Sequence, residues 1–158
     1  RSIIARAGVA VYTVIATKSK SVVATSQIDS LAQAGVDYVH IDGGMADNLR
    51  PALYGARYTA LLANRAAETP SKRVNVAGRY CESGDVLLRD ALLPPAGPGD
   101  QLAVAVAGAY TLSMANNYNL MPRPALLLLN NGMARIIQRR ETEEEVLGRD
   151  VALFEEQP

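Results

Sequence analysis

The chain has 158 residues, 49% of them hydrophobic and 20% charged, which suits a single globular domain with a real core. Its 16 basic and 16 acidic residues cancel to a net charge of zero, so bulk charge points to no nucleic-acid or acidic-membrane partner. One cysteine and one histidine argue against a disulfide framework or a zinc site. No apolar run approaches the roughly 20 residues needed to span a bilayer as a helix.

The chain opens with "SIIARAGVAVYTVIAT", rich in Val, Ile and Thr, which predicts a long bent strand broken at Gly8. Arg6 inside this stretch argues against a signal peptide, and the single cysteine leads to an expected cytoplasmic location. With no initiator Met, a fragment is expected. Residues 18–35 are polar and mixed and fit either a loop or a short helix. "VDYVHI" (36–41) alternates, with Tyr38 and His40 on one face and Val39 and Ile41 on the other. "DGGMADN" reads as a turn whose two glycines supply unusual backbone angles.

Strands are predicted over 56–64, 72–80, 85–93, 101–108, 123–130 and 133–140. "PPAGPGD" (94–100) is a turn, and "NNG" (130–132) marks a hairpin between the last two strands. "AYTLSMANNYN" (109–119) fits one or two helical turns. "TEEEVLGRDVALFEE" reads as a helix with Thr142 as N-cap, three glutamates in the first turn and Gly148 near a stop. Many short strands with Gly/Pro turns predict a mainly β domain over 1–158, a barrel or sandwich with short helices.

Three stretches can carry chemistry. In "DGGMADNLRPALYGA", Pro51 can start a helical turn that brings Arg50 and Tyr54 onto nearby faces. A guanidinium and a phenol together grip a carboxylate or phosphate. Equally, Arg50 can be a solvated charge and Tyr54 a core-edge ring. In "CESGD", Cys81 beside Glu82 can be a general acid beside a carboxylate that pins an ammonium, or simply a buried filler. In "GAYTLSMANNYN", Tyr110 can lie against a planar ligand or anchor a sheet edge. His40 reads as a structural strand residue. The run from Arg139 to Glu144 reads as a solvated helix start with weak local ion pairs.

The order and spacing of "HIDGGMADNLRPALYGA", "GRYCESGDVLLRDALLP", "PGDQLAVAVAGAYTLSMANNYN" and "RPALLLLNNGMARIIQRRET" resemble the C-terminal domain of the diaminopimelate decarboxylase family. These are pyridoxal-phosphate enzymes of the alanine-racemase-like decarboxylase group, of fold type III. The resemblance runs from Arg1 to about Val151 and weakens over 18–35, where this chain is longer. It implies removal of CO2 from the D-centre of meso-diaminopimelate to leave L-lysine, the last step of lysine biosynthesis. It implies that Arg1, the end of a Glu-Pro-Gly-Arg motif, helps bind substrate or cofactor phosphate. Arg50 and Tyr54 would grip the distal carboxylate, Glu82 the distal ammonium, and Tyr110 would lie by the cofactor and substrate. Cys81 would donate the proton after CO2 leaves.

Cys81 and Glu82 would serve the partner subunit's site in an obligate homodimer. The Schiff-base lysine would lie in an N-terminal (β/α)8 barrel outside this chain, since none of Lys18, Lys20 and Lys72 matches it; the fragment alone is then expected to be inactive. The glutamate of "CESGD" favours diaminopimelate over ornithine, since the relative that decarboxylates ornithine resembles an Asp-bearing motif; arginine and a carboxylated polyamine are the other alternative substrates. A non-catalytic β-barrel interaction module is the reading from a different class.

Overall fold

The computed structural model describes residues 3–5, 9–18, 37–108 and 110–151. Strands β1 (Ile3–Ala5) and β2 (Val9–Lys18) replace the one bent strand expected. They pair antiparallel, with Ala5 opposite Val9.

β2 is the long strand on which two groups of strands meet. Its first half pairs β1 on one side and β7 (Gln101–Val104) on the other; β7 also pairs β4 (Ala60–Leu62). Its second half pairs β3 (Asp37–Ile41) after a bulge between Val14 and Ala16. A bulge increases local twist and bends a strand, which lets one strand serve both groups. β3 runs parallel to β5 (Lys72–Ala77), which pairs antiparallel with β6 (Val86–Leu93). At the far side, β1 pairs β8 (Leu126–Asn130), which continues into β9 (Met133–Gln138). The architecture is mainly β, with short helices α1 (Arg50–Tyr54), α2 (Thr111–Met114) and α3 (Glu143–Leu147).

The core lies where β2, β3, β5, β6 and β7 meet, around the fully buried Tyr12, Ile41, Val76 and Leu102. β3 and β5 are interior strands, and the alternation expected of β3 is observed: Tyr38 and His40 stack with ring centroids 6.2 Å apart. β4 is much shorter than the predicted 56–64. The chain leaves it for a 3-10 turn at Ala63–Arg65, where Arg65 bonds Glu68, Asp100 and the carbonyl of Pro95. β7 stops at Val104 rather than 108, as Val106 takes a left-handed conformation (φ 56). The "NNG" hairpin forms as read: Asn131 and Gly132 both have positive φ, 49 and 76, the two-residue turn that matches strand twist.

Candidate active site

The parallel pairing of β3 with β5 decides what lies together at one end of the sheet. His40 faces Ala77, so the two strands finish side by side and the loops that leave them are neighbours. The first loop, 42–49, leads into α1. The second, 78–85, carries Cys81 and Glu82. The Arg79 N–H donates to the Gly43 carbonyl (3.1 Å), and its guanidinium reaches the Asp42 carbonyl (3.2 Å). A third segment, after β7, joins them: the Asn116 N–H donates to the Ala46 carbonyl (3.0 Å), and the Tyr118 hydroxyl donates to Glu82.

The candidate residues fall into two groups on these loops. α1 begins at Arg50 because Pro51 is preset for a first helical turn, and it ends after Tyr54 at Gly55, which takes the left-handed conformation (φ 63). Arg50 lies over the ring of Tyr110, its guanidinium carbon 5.2 Å from the centroid, a cation–π arrangement that holds an arginine without neutralising it. It also lines an open groove of about 330 Å³ with Arg57, Tyr58 and Val106, so two basic residues border one concavity. Tyr54 is not a core-edge ring; it is 66% exposed on the same helix.

In the second group Cys81 is a free, exposed thiol, which removes the reading of a buried filler. Glu82 is exposed beside it and accepts from Tyr118, whose own acidity is suppressed by that bond. Tyr80 packs edge-on to Tyr118 (5.8 Å), and burial pushes its hydroxyl up to about 12. Arg1 lies outside the described residues, as do most of residues 18–35.

Two features of the site were not read from sequence. Gly43 and Gly44 do not supply unusual backbone angles, since neither has a positive φ. They supply space: a Cβ on Gly43 would stand 2.4 Å from the Tyr12 ring, and one on Gly44 would stand 2.5 Å from Asp85. Asp85, the last residue of "CESGD", is 3% exposed and accepts N–H bonds from Met45 (2.7 Å) and Tyr80 (2.8 Å). The signal available for it was an acid directly after the Ser83-Gly84 turn and directly before an apolar strand, a place where a carboxylate needs partners of its own. Tyr118 lies in the "AYTLSMANNYN" stretch, where nothing local marks it as a partner of Glu82. Lys72 is paired with Asp37 (2.5 Å) at the start of β5.

A family model described as the C-terminal sheet domain of pyridoxal-dependent decarboxylases matches residues 3–108. The diaminopimelate decarboxylase of Bacillus subtilis (strain 168) is 46% identical over 151 residues, covering 96% of this chain and 32% of that protein. That of Synechocystis sp. (strain ATCC 27184 / PCC 6803 / Kazusa) is 50% identical over 113 residues, covering 72% of this chain and 24% of that protein. The crystal structure of diaminopimelate decarboxylase from M. jannaschii in co-complex with L-lysine is 33% identical, with a TM-score of 0.76 over 91% of this chain and 30% of that one. The chain thus spans about a third or less of the length of these relatives.

Proposed function

Because this chain belongs to the family of pyridoxal-dependent decarboxylase C-terminal sheet domains, we propose that it is the sheet domain of a diaminopimelate decarboxylase, converting meso-2,6-diaminopimelate to L-lysine and CO2. The observation that carries the reading is the pinned, exposed Cys81–Glu82 loop beside the loop that delivers Arg50 over Tyr110. Relatives named diaminopimelate decarboxylase at 46% and 50% identity support the choice of substrate.

The residues present suit a partial lining for pyridoxal phosphate. Tyr110 offers a ring that is 60% exposed, a flat surface against which a planar cofactor can lie. The lysine that would hold the cofactor covalently belongs to a barrel domain outside this chain. When bound, the cofactor supplies the electron sink that makes loss of CO2 possible.

This chain's residues supply recognition and one proton. The distal end of the substrate carries one negative and one positive group, so it takes one cation and one anion to read it. Arg50 and Tyr54 donate to the distal carboxylate, and Glu82 accepts from the distal ammonium. Tyr118 holds one oxygen of Glu82 and leaves the other for the substrate. Cys81 delivers a proton to the carbon that has lost CO2. Arg1 is assigned to substrate or cofactor phosphate on the resemblance alone. The Cys81–Glu82 loop would enter the partner subunit's site, which makes the working unit a homodimer with a barrel or sandwich sheet domain in each copy, in the cytoplasm.

The test is made on the complete decarboxylase. CO2 release from meso-diaminopimelate should far exceed release from ornithine, because ornithine leaves Arg50 without a carboxylate partner; equal rates would overturn the substrate assignment. Glu82→Ala should raise KM by about a hundredfold, the loss expected when one charged recognition bond of a few kcal/mol goes. Cys81→Ala should lower kcat with KM nearly unchanged.

A further inference from the structure

Asp85 has no part in that chemistry, yet it is the most enclosed carboxylate near it. Three observations concern it. First, its two oxygens divide their bonds between the two loops: one accepts the Met45 N–H at 2.7 Å and the other the Tyr80 N–H at 2.8 Å. Second, the carboxylate sits between two glycine backbones. A Cβ on Gly78 would stand 2.2 Å from it and a Cβ on Gly44 2.5 Å, so neither position admits a side chain without displacing it. Third, the loop closes around it, with the Gly78 N–H donating to the Asp85 carbonyl (2.9 Å) and the Asp85 N–H to the Glu82 carbonyl (3.1 Å).

A buried carboxylate that uses backbone N–H donors is a geometric device, because those donors are fixed by the fold and cannot swing away. It costs desolvation, which only a well-made set of bonds offsets. From these contacts we infer that Asp85 is a positioning residue, clamping the Cys81–Glu82 loop to the loop that leads into Arg50 so that the proton donor and both recognition charges share one rigid frame. The inference rests on the proposed activity for its functional consequence. If Cys81 and Glu82 serve the partner's site while Arg50 serves this chain's own, the clamp also ties the two sites of a dimer to a common piece of backbone.

A carboxamide at position 85 keeps the shape but presents an N–H₂ to a backbone N–H, so one of the two bonds must break. In the complete decarboxylase, Asp85→Asn should therefore lower kcat and raise KM for meso-diaminopimelate together, each about tenfold, the effect expected when one hydrogen bond to a charged group is lost. Glu82→Ala moves mainly KM and Cys81→Ala mainly kcat. The joint shift separates a loop that has come loose from the loss of either group.

Alkylation of Cys81 by iodoacetamide supplies a readout independent of turnover. It should quicken in Asp85→Asn, and bound L-lysine should protect the thiol less well. Gly78→Ala, which pushes on the same carboxylate, should reproduce both effects. Kinetics within twofold of wild type and an unchanged alkylation rate in a folded Asp85→Asn would overturn the inference. If both variants fail to fold, amide exchange on the unmodified enzyme decides: Met45 and Tyr80 should exchange far more slowly than Cys81 and Glu82, and equal rates would overturn the clamp. An enzyme that does not act on meso-diaminopimelate would sink the proposed function, while the alkylation and exchange results would still decide the clamp.

Discussion

Asp85 and Glu141 are both carboxylates that hold two pieces of chain together, and they do it by opposite means. Asp85 is buried between glycine backbones, takes its bonds from backbone N–H groups, and burial pushes its carboxyl up to about 6. Glu141 lies near the surface, where Arg123 binds it through its guanidinium (2.7 Å) and its backbone N–H (3.0 Å), and Asn117 adds a third donor (2.5 Å). These bonds, the Arg123 side chain first, hold its carboxyl down at about 2. The first region depends on space and fixed dipoles, so it tolerates little change in shape. The second depends on charge and long side chains, so it tolerates change in shape and is sensitive to acid. The candidate catalytic loops sit on the first kind of support and the β8–β9 hairpin on the second.

The largest contrast is expected between two isoleucines. Ile41, fully buried at the end of β3, supports the loop cluster, whereas Ile136 on β9 is 63% exposed. Ile41→Ala should cost about 3 kcal/mol, transfer and cavity terms together. Ile136→Ala should stay within about 0.5 kcal/mol in the isolated fold. Denaturant melts of the two variants check this, and equal losses would mean that the hairpin face is covered.

Two glycines of one loop sharpen the point. Gly78→Ala forces a Cβ to within 2.2 Å of Asp85 and should cost about 2 kcal/mol as overpacking. Gly84→Ala meets nothing within 4 Å and has no positive φ, so a thermal melt should move by no more than a degree or two, about 0.5 kcal/mol.

How much of this was legible in sequence follows from the range of each interaction. The alternation of β3, the Asn131–Gly132 turn and the Thr142 cap are local, written within a few residues, and all three form as read. Arg50, Tyr110, Cys81 and Glu82 were singled out, and the structure places them on adjoining segments with Arg50 over Tyr110. Of the two partners of Asp85, Tyr80 lies in the same loop but Met45 is 40 residues away, and only the parallel pairing of β3 with β5 brings the two loops together. Gly43 and Gly44 were misread for a related reason. Glycine needed for a backbone angle and glycine needed for space look alike until the neighbouring side chain is known. The strand predicted over 56–64 ends at Leu62, where the 3-10 turn held by the non-local contacts of Arg65 begins, and its first four residues stay outside the ladder.

The two carboxylates should also respond to pH with opposite signs. Asp85 has a folded pKa above its ordinary 3.8, so what it adds to stability is fully present below about 3.8 and is lost as pH rises through about 6. Glu141 has a folded pKa below its ordinary 4.5, so its contribution is present above about 4.5 and is lost as pH falls toward about 2. The difference in Tm between wild type and Asp85→Asn should therefore shift in favour of the variant from pH 4 to 6.5. The difference between wild type and Glu141→Gln should shift in favour of that variant from pH 4.5 downward. Two shifts of the same sign would mean that the Asp85 carboxyl is paired with a cation in solution.

The smallest effect is expected where the second kind of support is most local. Thr142 caps α3 in a reciprocal box: its hydroxyl accepts the Glu145 N–H (3.2 Å), and the Glu145 carboxylate accepts the Thr142 N–H (2.9 Å). Arg139 adds an ion pair to the same carboxylate. Thr142→Ala removes one bond of the box and should cost about 1 kcal/mol. That loss should stay in α3, because none of its residues is buried. Amide exchange should quicken at Glu145 and Val146 and remain unchanged at Met45 and Tyr80, with kcat and KM unaltered in the complete enzyme. An effect that reached the Asp85 loops would mean that the surface ion pairs and the buried clamp belong to one cooperative unit rather than two.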